Sequence, residues 1–193
     1  MINYTISYNN PHRHYVDFEL TAPTNGQKSM QFQLSAWRPG RYELADFAQN
    51  IQKWAAFDEH SNPIPFKKIT KDLWEVTTEG AMEVTLVYNF YANQMDAGAC
   101  YLDEHQLYLN PVHCMFYIVD RMEEQYILNF DLPKEYKIAS SMEQKGNALS
   151  VKGYDALAES PIICSATLQH DTYKVNEVTF HMCFKELAHP IGK

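Results

Sequence analysis

Apolar and polar residues alternate with a period of two at several places along this chain, and that pattern restricts it to strands. Met82, Val84, Leu86, Tyr88 and Phe90 interleave with Glu83, Thr85, Val87, Asn89 and Tyr91. Successive side chains of a strand point to opposite faces, so this period buries one face and wets the other. The same pattern sets Val16, Phe18 and Leu20 against Asp17 and Glu19. It recurs at Tyr126, Leu128, Phe130 and Leu132, where Pro133 stops the strand, and at Val178, Phe180, Met182 and Phe184. Met30, Phe32 and Leu34 form another apolar face, separated from Leu20 by Thr24-Asn25-Gly26-Gln27. Asn-Gly favours a two-residue hairpin turn, so the spacing predicts a hairpin here. A second hairpin is predicted from 99–102 to 107–109 around Asp103-Glu104-His105-Gln106, and further strands over 50–57 and 73–78. The apolar run 114–119 predicts a strand buried on both faces. One short helix is predicted over 154–159, ended by Ser160-Pro161. These readings give an all-β domain, an antiparallel sandwich-like fold with one short helix.

Composition then removes several functions. With 46% hydrophobic residues in 193, the chain has a core and is not disordered. A net charge of -8 without a Lys/Arg cluster argues against nucleic acid and against anionic membrane surfaces as partners. No apolar run approaches a membrane span. The opening Met1-Ile2-Asn3-Tyr4 has no basic-then-apolar pattern, which implies a cytoplasmic protein, or an exported one whose leader was removed. Cys100, Cys114, Cys164 and Cys183 form no Cys-x-x-Cys and are read as reduced thiols.

The search for chemistry finds no catalytic constellation. His12 and His14, two apart, share a face if that segment is a strand, but no third metal ligand stands at a recognisable spacing. Glu59-His60 and Glu104-His105 are not part of an HExxH, and no Gly-x-Ser-x-Gly or glycine-rich phosphate loop is present. His113 and Cys114 are adjacent, and on a strand they point to opposite faces. Asp103 and Glu104 read as a solvated turn. No catalytic residue and no metal site is therefore predicted in this chain.

One segment is too unusual for a mere connection: Ala36-Trp37-Arg38-Pro39-Gly40-Arg41-Tyr42-Glu43-Leu44-Ala45-Asp46-Phe47-Ala48-Gln49-Asn50. Its Trp, two Arg and Tyr around Pro-Gly predict either an arginine–aromatic stack that pins the loop or a rigid contact surface. A buried Trp37 indole is worth roughly 3 kcal/mol to the fold, whereas Arg41 contributes little. This run resembles the signature loop of the glycyl aminopeptidase family, family 61 of the metallopeptidases. The resemblance is carried by Ala36, Trp37, Arg38, Pro39, Gly40, Tyr42, Asp46, Phe47, Ala48 and Asn50, and extends to Asn10-Pro11-His12-Arg13-His14-Tyr15. Asn62-Pro63-Ile64-Pro65, Tyr101-Leu102-Asp103, Leu109-Asn110 and Tyr154-Asp155 with Ser160-Pro161 follow in the family's order.

The resemblance implies an N-terminal β domain over 1–185, with 186–193 starting the link to a zinc-binding catalytic domain that this chain lacks. It implies that zinc belongs to that other domain, and that the partners are the chain's own catalytic domain and the parent enzyme's peptide substrate. Trp37, Arg38, Arg41, Tyr42 and Asp46 are then the interdomain surface. Tyr101, Asp103 and Asn110 are candidates for the pocket that receives the substrate's free amino end. Glycyl or alanyl preference follows from the family alone. Two other readings stand beside this one: a stand-alone β-sandwich module binding peptide or carbohydrate, and a structural interaction domain.

Overall fold

The alternating segments are strands. The computed structural model describes residues 1–38, 40–41 and 43–185. In chain order the strands are β1 (Ile2–Ser7), β2 (Tyr15–Pro23), β3 (Ser29–Leu34), β4 (Ile51–Asp58), β5 (Phe66–Lys68), β6 (Leu73–Thr77), β7 (Glu83–Tyr91), β8 (Tyr101–Leu102) and β9 (Leu107–Leu109). They continue as β10 (Phe116–Ile118), β11 (Gln125–Asp131), β12 (Lys137–Ala139), β13 (Glu143–Lys145), β14 (Ala148–Lys152), β15 (Ile162–Ser165), β16 (Leu168–Val175) and β17 (Val178–Lys185). Two short helices, α1 (Pro111–Cys114) and α2 (Tyr154–Ala158), and 3-10 turns at Pro11–Arg13 and Phe47–Asn50 complete the described elements. No helix among the described residues is long and apolar enough to cross a membrane. The link proposed for 186–193 lies outside the described residues.

A seven-stranded sheet runs in the order β13-β14-β11-β1-β2-β7-β4, and a four-stranded sheet, β10-β3-β6-β5, faces it. The core between them is aromatic. Phe18 of β2 stacks on Tyr88 of β7 with centroids 5.1 Å apart, and Tyr88 meets Phe116 of β10 edge-on at 4.9 Å. Trp74 of β6 meets the same Phe116 edge-on at 5.2 Å. Edge-on and offset contacts suit the ring quadrupole, so these pairs add direction to the hydrophobic burial. A smaller sheet, β12-β15-β9-β8, carries the second predicted hairpin, and β16 and β17 pair only with each other.

The structure corrects three expectations. The Asn25-Gly26 turn forms, with both residues left-handed at φ 53° and 77°, but β2 and β3 do not pair. β2 lies between β1 and β7, matched to β7 over nine residues, whereas β3 lies between β10 and β6 in the other sheet. Turn chemistry specifies the local reversal; the burial of each strand's apolar face decides which sheet it joins. The sheets are not wholly antiparallel either, because β1 runs parallel to β11. Lastly, the apolar run 114–119 is buried at four of its six positions, Tyr117 and Val119 being half-buried, but only Phe116–Ile118 is strand, and Cys114 ends α1.

That irregular passage from α1 into β10 leaves carbonyls without ladder partners. Three buried tyrosines supply them. Tyr88 donates to Cys114 O at 2.7 Å, Tyr154 to Met115 O at 3.1 Å, and Tyr4 to Phe116 O at 3.0 Å. Tyr4 also accepts from Phe116 N at 2.8 Å. Buried carbonyls left unpaired are costly, so these hydroxyls fix where α1 sits. Burial raises all three phenol pKa values, which keeps the hydroxyls protonated as donors.

Candidate functional site

The Trp37–Asn50 loop is closed at its neck by Ala45 N donating to Ala36 O at 2.8 Å. Its far end turns into the 3-10 segment Phe47–Asn50, whose Phe47 ring stacks on the His113 imidazole of α1 at 3.8 Å. Arg38 reaches across to the loop after β7, where Nη1 donates to Gly98 O at 2.9 Å. A Cβ at Gly98 would stand only 1.4 Å from that Nη1, so the guanidinium occupies the space a side chain would need. Gly98 is itself set by Asp96, whose Oδ1 accepts from Gly98 N at 2.7 Å.

Asn110 holds the same loop from beneath. Its Nδ2 donates to Ala99 O at 2.6 Å and lies 3.4 Å from Ala97 O, while Tyr108 donates its hydroxyl to Ala97 O at 3.1 Å. The Cys100 and Cys114 thiols both donate to Asn110 O, at 3.7 and 3.5 Å. Cys100, Cys114 and Cys164 are buried thiols, and burial pushes Cys164 up to about 12. Thiols held that high are poor nucleophiles at neutral pH.

These contacts enclose a surface cavity of about 330 Å³. Arg38, Arg41, Asp46, Phe47, Asp96, Gly98 and His113 are among its lining residues. His113 is 6% exposed, and its Nε2 has no hydrogen-bond partner. Burial first, then the positive charge of Arg38, lowers its pKa to about 4. At neutral pH it is therefore an uncharged imidazole, buried under the Phe47 ring at the wall of the cavity. Sequence reasoning met His113 only as a neighbour of Cys114; a buried histidine in a four-residue helix leaves no periodic signal.

The expected site residues separate into different roles. Arg38, Arg41 and Asp46 come together at the cavity; Tyr42 and Pro39 lie outside the described residues. Asp46 Oδ2 is 3.6 Å from Lys71 Nζ, and Arg41 Nη1 is 3.7 Å from Glu43 Oε1, both exposed pairs of small energetic weight. Trp37 is 39% exposed, which removes the premise that a buried indole there anchors the fold. Nor does Arg38 serve mainly as a stacking partner, since its guanidinium is held by the Gly98 carbonyl.

Asp103 caps its own turn: Oδ1 accepts from His105 N and Gln106 N, both at 2.8 Å. Tyr101 is half-buried on β8 and lines a separate depression of about 240 Å³ with Asp96, Gln106 and Tyr108. Burial, then the Asp103 and Glu104 charges, raises its phenol pKa. Asn110 lies beneath the loop rather than on its surface.

His12 and His14 are not a strand pair. Pro11–Arg13 is a 3-10 turn capped by the Asn10 side chain, and His14 follows it in the left-handed region at φ 58°. Both rings address the β8–β9 hairpin instead. His14 Nδ1 is 2.6 Å from Leu102 O, and His12 Nδ1 is 3.2 Å from Glu104 Oε2. The opening motif thus holds the hairpin that leads into Asn110. Among the described residues no three His, Cys, Asp or Glu side chains converge as a metal site, so this donor set does not fit a catalytic zinc.

Residues 3–166 match the family described as the Peptidase M61 N-terminal domain. No curated protein matches this chain in sequence. In structure the chain is similar to an aminopeptidase N family protein from Idiomarina loihiensis, with TM-score 0.88 at 23% identity, over 97% of this chain and 33% of that one. It thus spans about a third of that relative. A substrate-bound M1 zinc metallopeptidase from Deinococcus radiodurans matches with TM-score 0.49 at 12% identity, over 100% of this chain and 48% of that one. A yeast LTA4 hydrolase in complex with bestatin matches with TM-score 0.43 at 10% identity, over 93% of this chain and 30% of that one.

Proposed function

This chain belongs to the peptidase M61 N-terminal domain family, and on that premise we propose that it serves a zinc-dependent aminopeptidase as its non-catalytic N-terminal domain. It packs on the catalytic domain and helps shape the substrate cleft, with a preference for glycyl or alanyl substrates. The observation that carries the reading is the family match over residues 3–166. The geometry supports it, because the loop of Arg38, Arg41 and Asp46 is held at the surface by partners inside the domain.

In this reading zinc sits in the other domain, where it would polarise the scissile carbonyl and activate water. The residues of this chain bind and orient. Arg41 and Asp46 offer charge to the facing domain. Arg38 fixes the Asp96–Ala99 loop through Gly98, and Asn110 fixes it through Ala99. Of the three candidates for the amino-end pocket, Tyr101 presents a hydroxyl, while Asp103 and Asn110 position the backbone around it.

The alternative, a stand-alone module binding peptide or carbohydrate, draws support from a polar cleft of about 490 Å³. Asn10, Arg13, Asp17, Gln52 and Asn89 line it, a set of amides and charges suited to hydroxyl-rich ligands. Reading the coding sequence beyond codon 193 separates the two. An in-frame HExxH with a later Glu supports the aminopeptidase reading; a stop codon there, with saturable glycan binding, supports the alternative.

A further inference from the structure

The ribbon of β16 and β17 differs from every other sheet described here. It has two strands, with no third on either edge. Its register runs from Leu168↔Lys185 to Val175↔Val178, closed by Asn176 at φ 53°. That register places Tyr173, Val175, Val178, Phe180, Met182 and Phe184 on one face. Each of the six is 42–57% exposed. Tyr173 and Phe180 stack across the strands at 4.9 Å and 6°, so the apolar face is organised as well as exposed. The opposite face is polar and already paired, with His170 Nε2 3.0 Å from His181 Nδ1.

A lone two-stranded hairpin is marginal in water, and open edges beside an apolar face invite pairing. Leu168 is the last buried side chain before the ribbon leaves the body. The family match ends at residue 166, immediately before it. The similar fold from Idiomarina loihiensis covers 97% of this chain yet is 33% of its own, so a comparable ribbon occurs there within a much longer polypeptide.

We propose that residues 168–185 belong structurally to the metallopeptidase domain, their apolar face being the docking surface for it and the domain boundary falling near Thr167 rather than at 186. This rests on the function proposed above. The ribbon supplies two strands and an apolar face, and the catalytic domain supplies the side chains that cover that face and a strand for an open edge. The body, ending at β15, keeps its own core without it.

Hydrogen exchange tests this, measured by mass spectrometry on residues 1–193 and on the full product of the gene. In residues 1–193 the ribbon amides should exchange almost unprotected while β1, β2 and β7 stay protected. In the full product ribbon protection should rise about 100-fold or more. Phe180→Thr with Met182→Thr should abolish that rise and leave the melting temperature of residues 1–193 unchanged. Four results would overturn the proposal. Strong ribbon protection in 1–193 at every concentration would make the ribbon self-supporting. Protection that grows with the concentration of 1–193 would make a second copy the occupant. An unprotected ribbon in a full product that carries a working metallopeptidase would defeat this inference and leave the function intact. A gene product without a metallopeptidase domain would defeat the function, and this partner with it.

Discussion

The loop at 36–50 and the ribbon at 168–185 are both surface segments rich in aromatic side chains, yet they are held in opposite ways. The loop is fastened from within: Arg38 grips Gly98, Phe47 stacks on His113, and Ala45 closes the neck on Ala36. The ribbon is fastened to nothing but itself along most of its length. Exposed aromatic content alone therefore says little about a partner. A surface whose polar groups are satisfied inside the domain is presented; a surface with open edges and an apolar face is unfinished.

If that contrast is right, substitutions beneath the loop should be costly and substitutions on the ribbon should not. Asn110→Ala should have the largest effect, because it leaves the buried Ala99 carbonyl unpaired. Chemical denaturation of residues 1–193 should show a loss of about 2–3 kcal/mol. Phe47→Ala removes the half-buried ring from His113 and should cost about 2 kcal/mol by the same measurement, less than a fully buried phenylalanine. A result near zero for both would mean that the loop is as loosely held as the ribbon.

Acid should act on the loop through His113. Its folded-state pKa, about 4, lies below the ordinary 6.5, so on acidification the unfolded chain takes up this proton first. The stability linked to its neutral burial is complete above pH 6.5 and is lost as the pH falls toward 4. Between pH 7 and pH 5 the loss should be roughly 1–2 kcal/mol, and His113→Phe should flatten that part of the profile. An unchanged profile in the variant would show that the imidazole is solvated. The smallest effects belong to the presented groups. Arg41→Ala and Val175→Thr should each change the stability of residues 1–193 by less than about 0.5 kcal/mol. A loss above about 2 kcal/mol from Val175→Thr would place the ribbon within the body's core.

The fold was legible where one mechanism decided the structure. Alternation at 83–91 is β7 with Val84, Leu86, Tyr88 and Phe90 buried, while Met82 lies exposed before it, and Tyr154–Ala158 is helical. Sheet membership was not legible, because Asn25-Gly26 reports a reversal but not the faces that β2 and β3 later bury. At the site, Arg38, Arg41 and Asp46 stood out as an unusual run, and the structure gathers them. Asn110 stood out too, but its role beneath the Ala97–Ala99 carbonyls depends on a contact eleven residues back in the chain. His113 gave no signal, since its partners Phe47 and Arg38 are distant in sequence. Whether the Trp37 indole is buried was not legible, because a tryptophan near Pro-Gly can either anchor a loop or lie at its surface, and here it is 39% exposed.

The most direct test of the whole account is hydrolysis of a glycyl chromogenic substrate, measured for residues 1–193 and for the full gene product, with and without a chelator. Turnover by the full product alone, abolished by the chelator and weakened by Arg41→Ala, is the predicted result. Chelator-sensitive turnover by residues 1–193 on their own would contradict it.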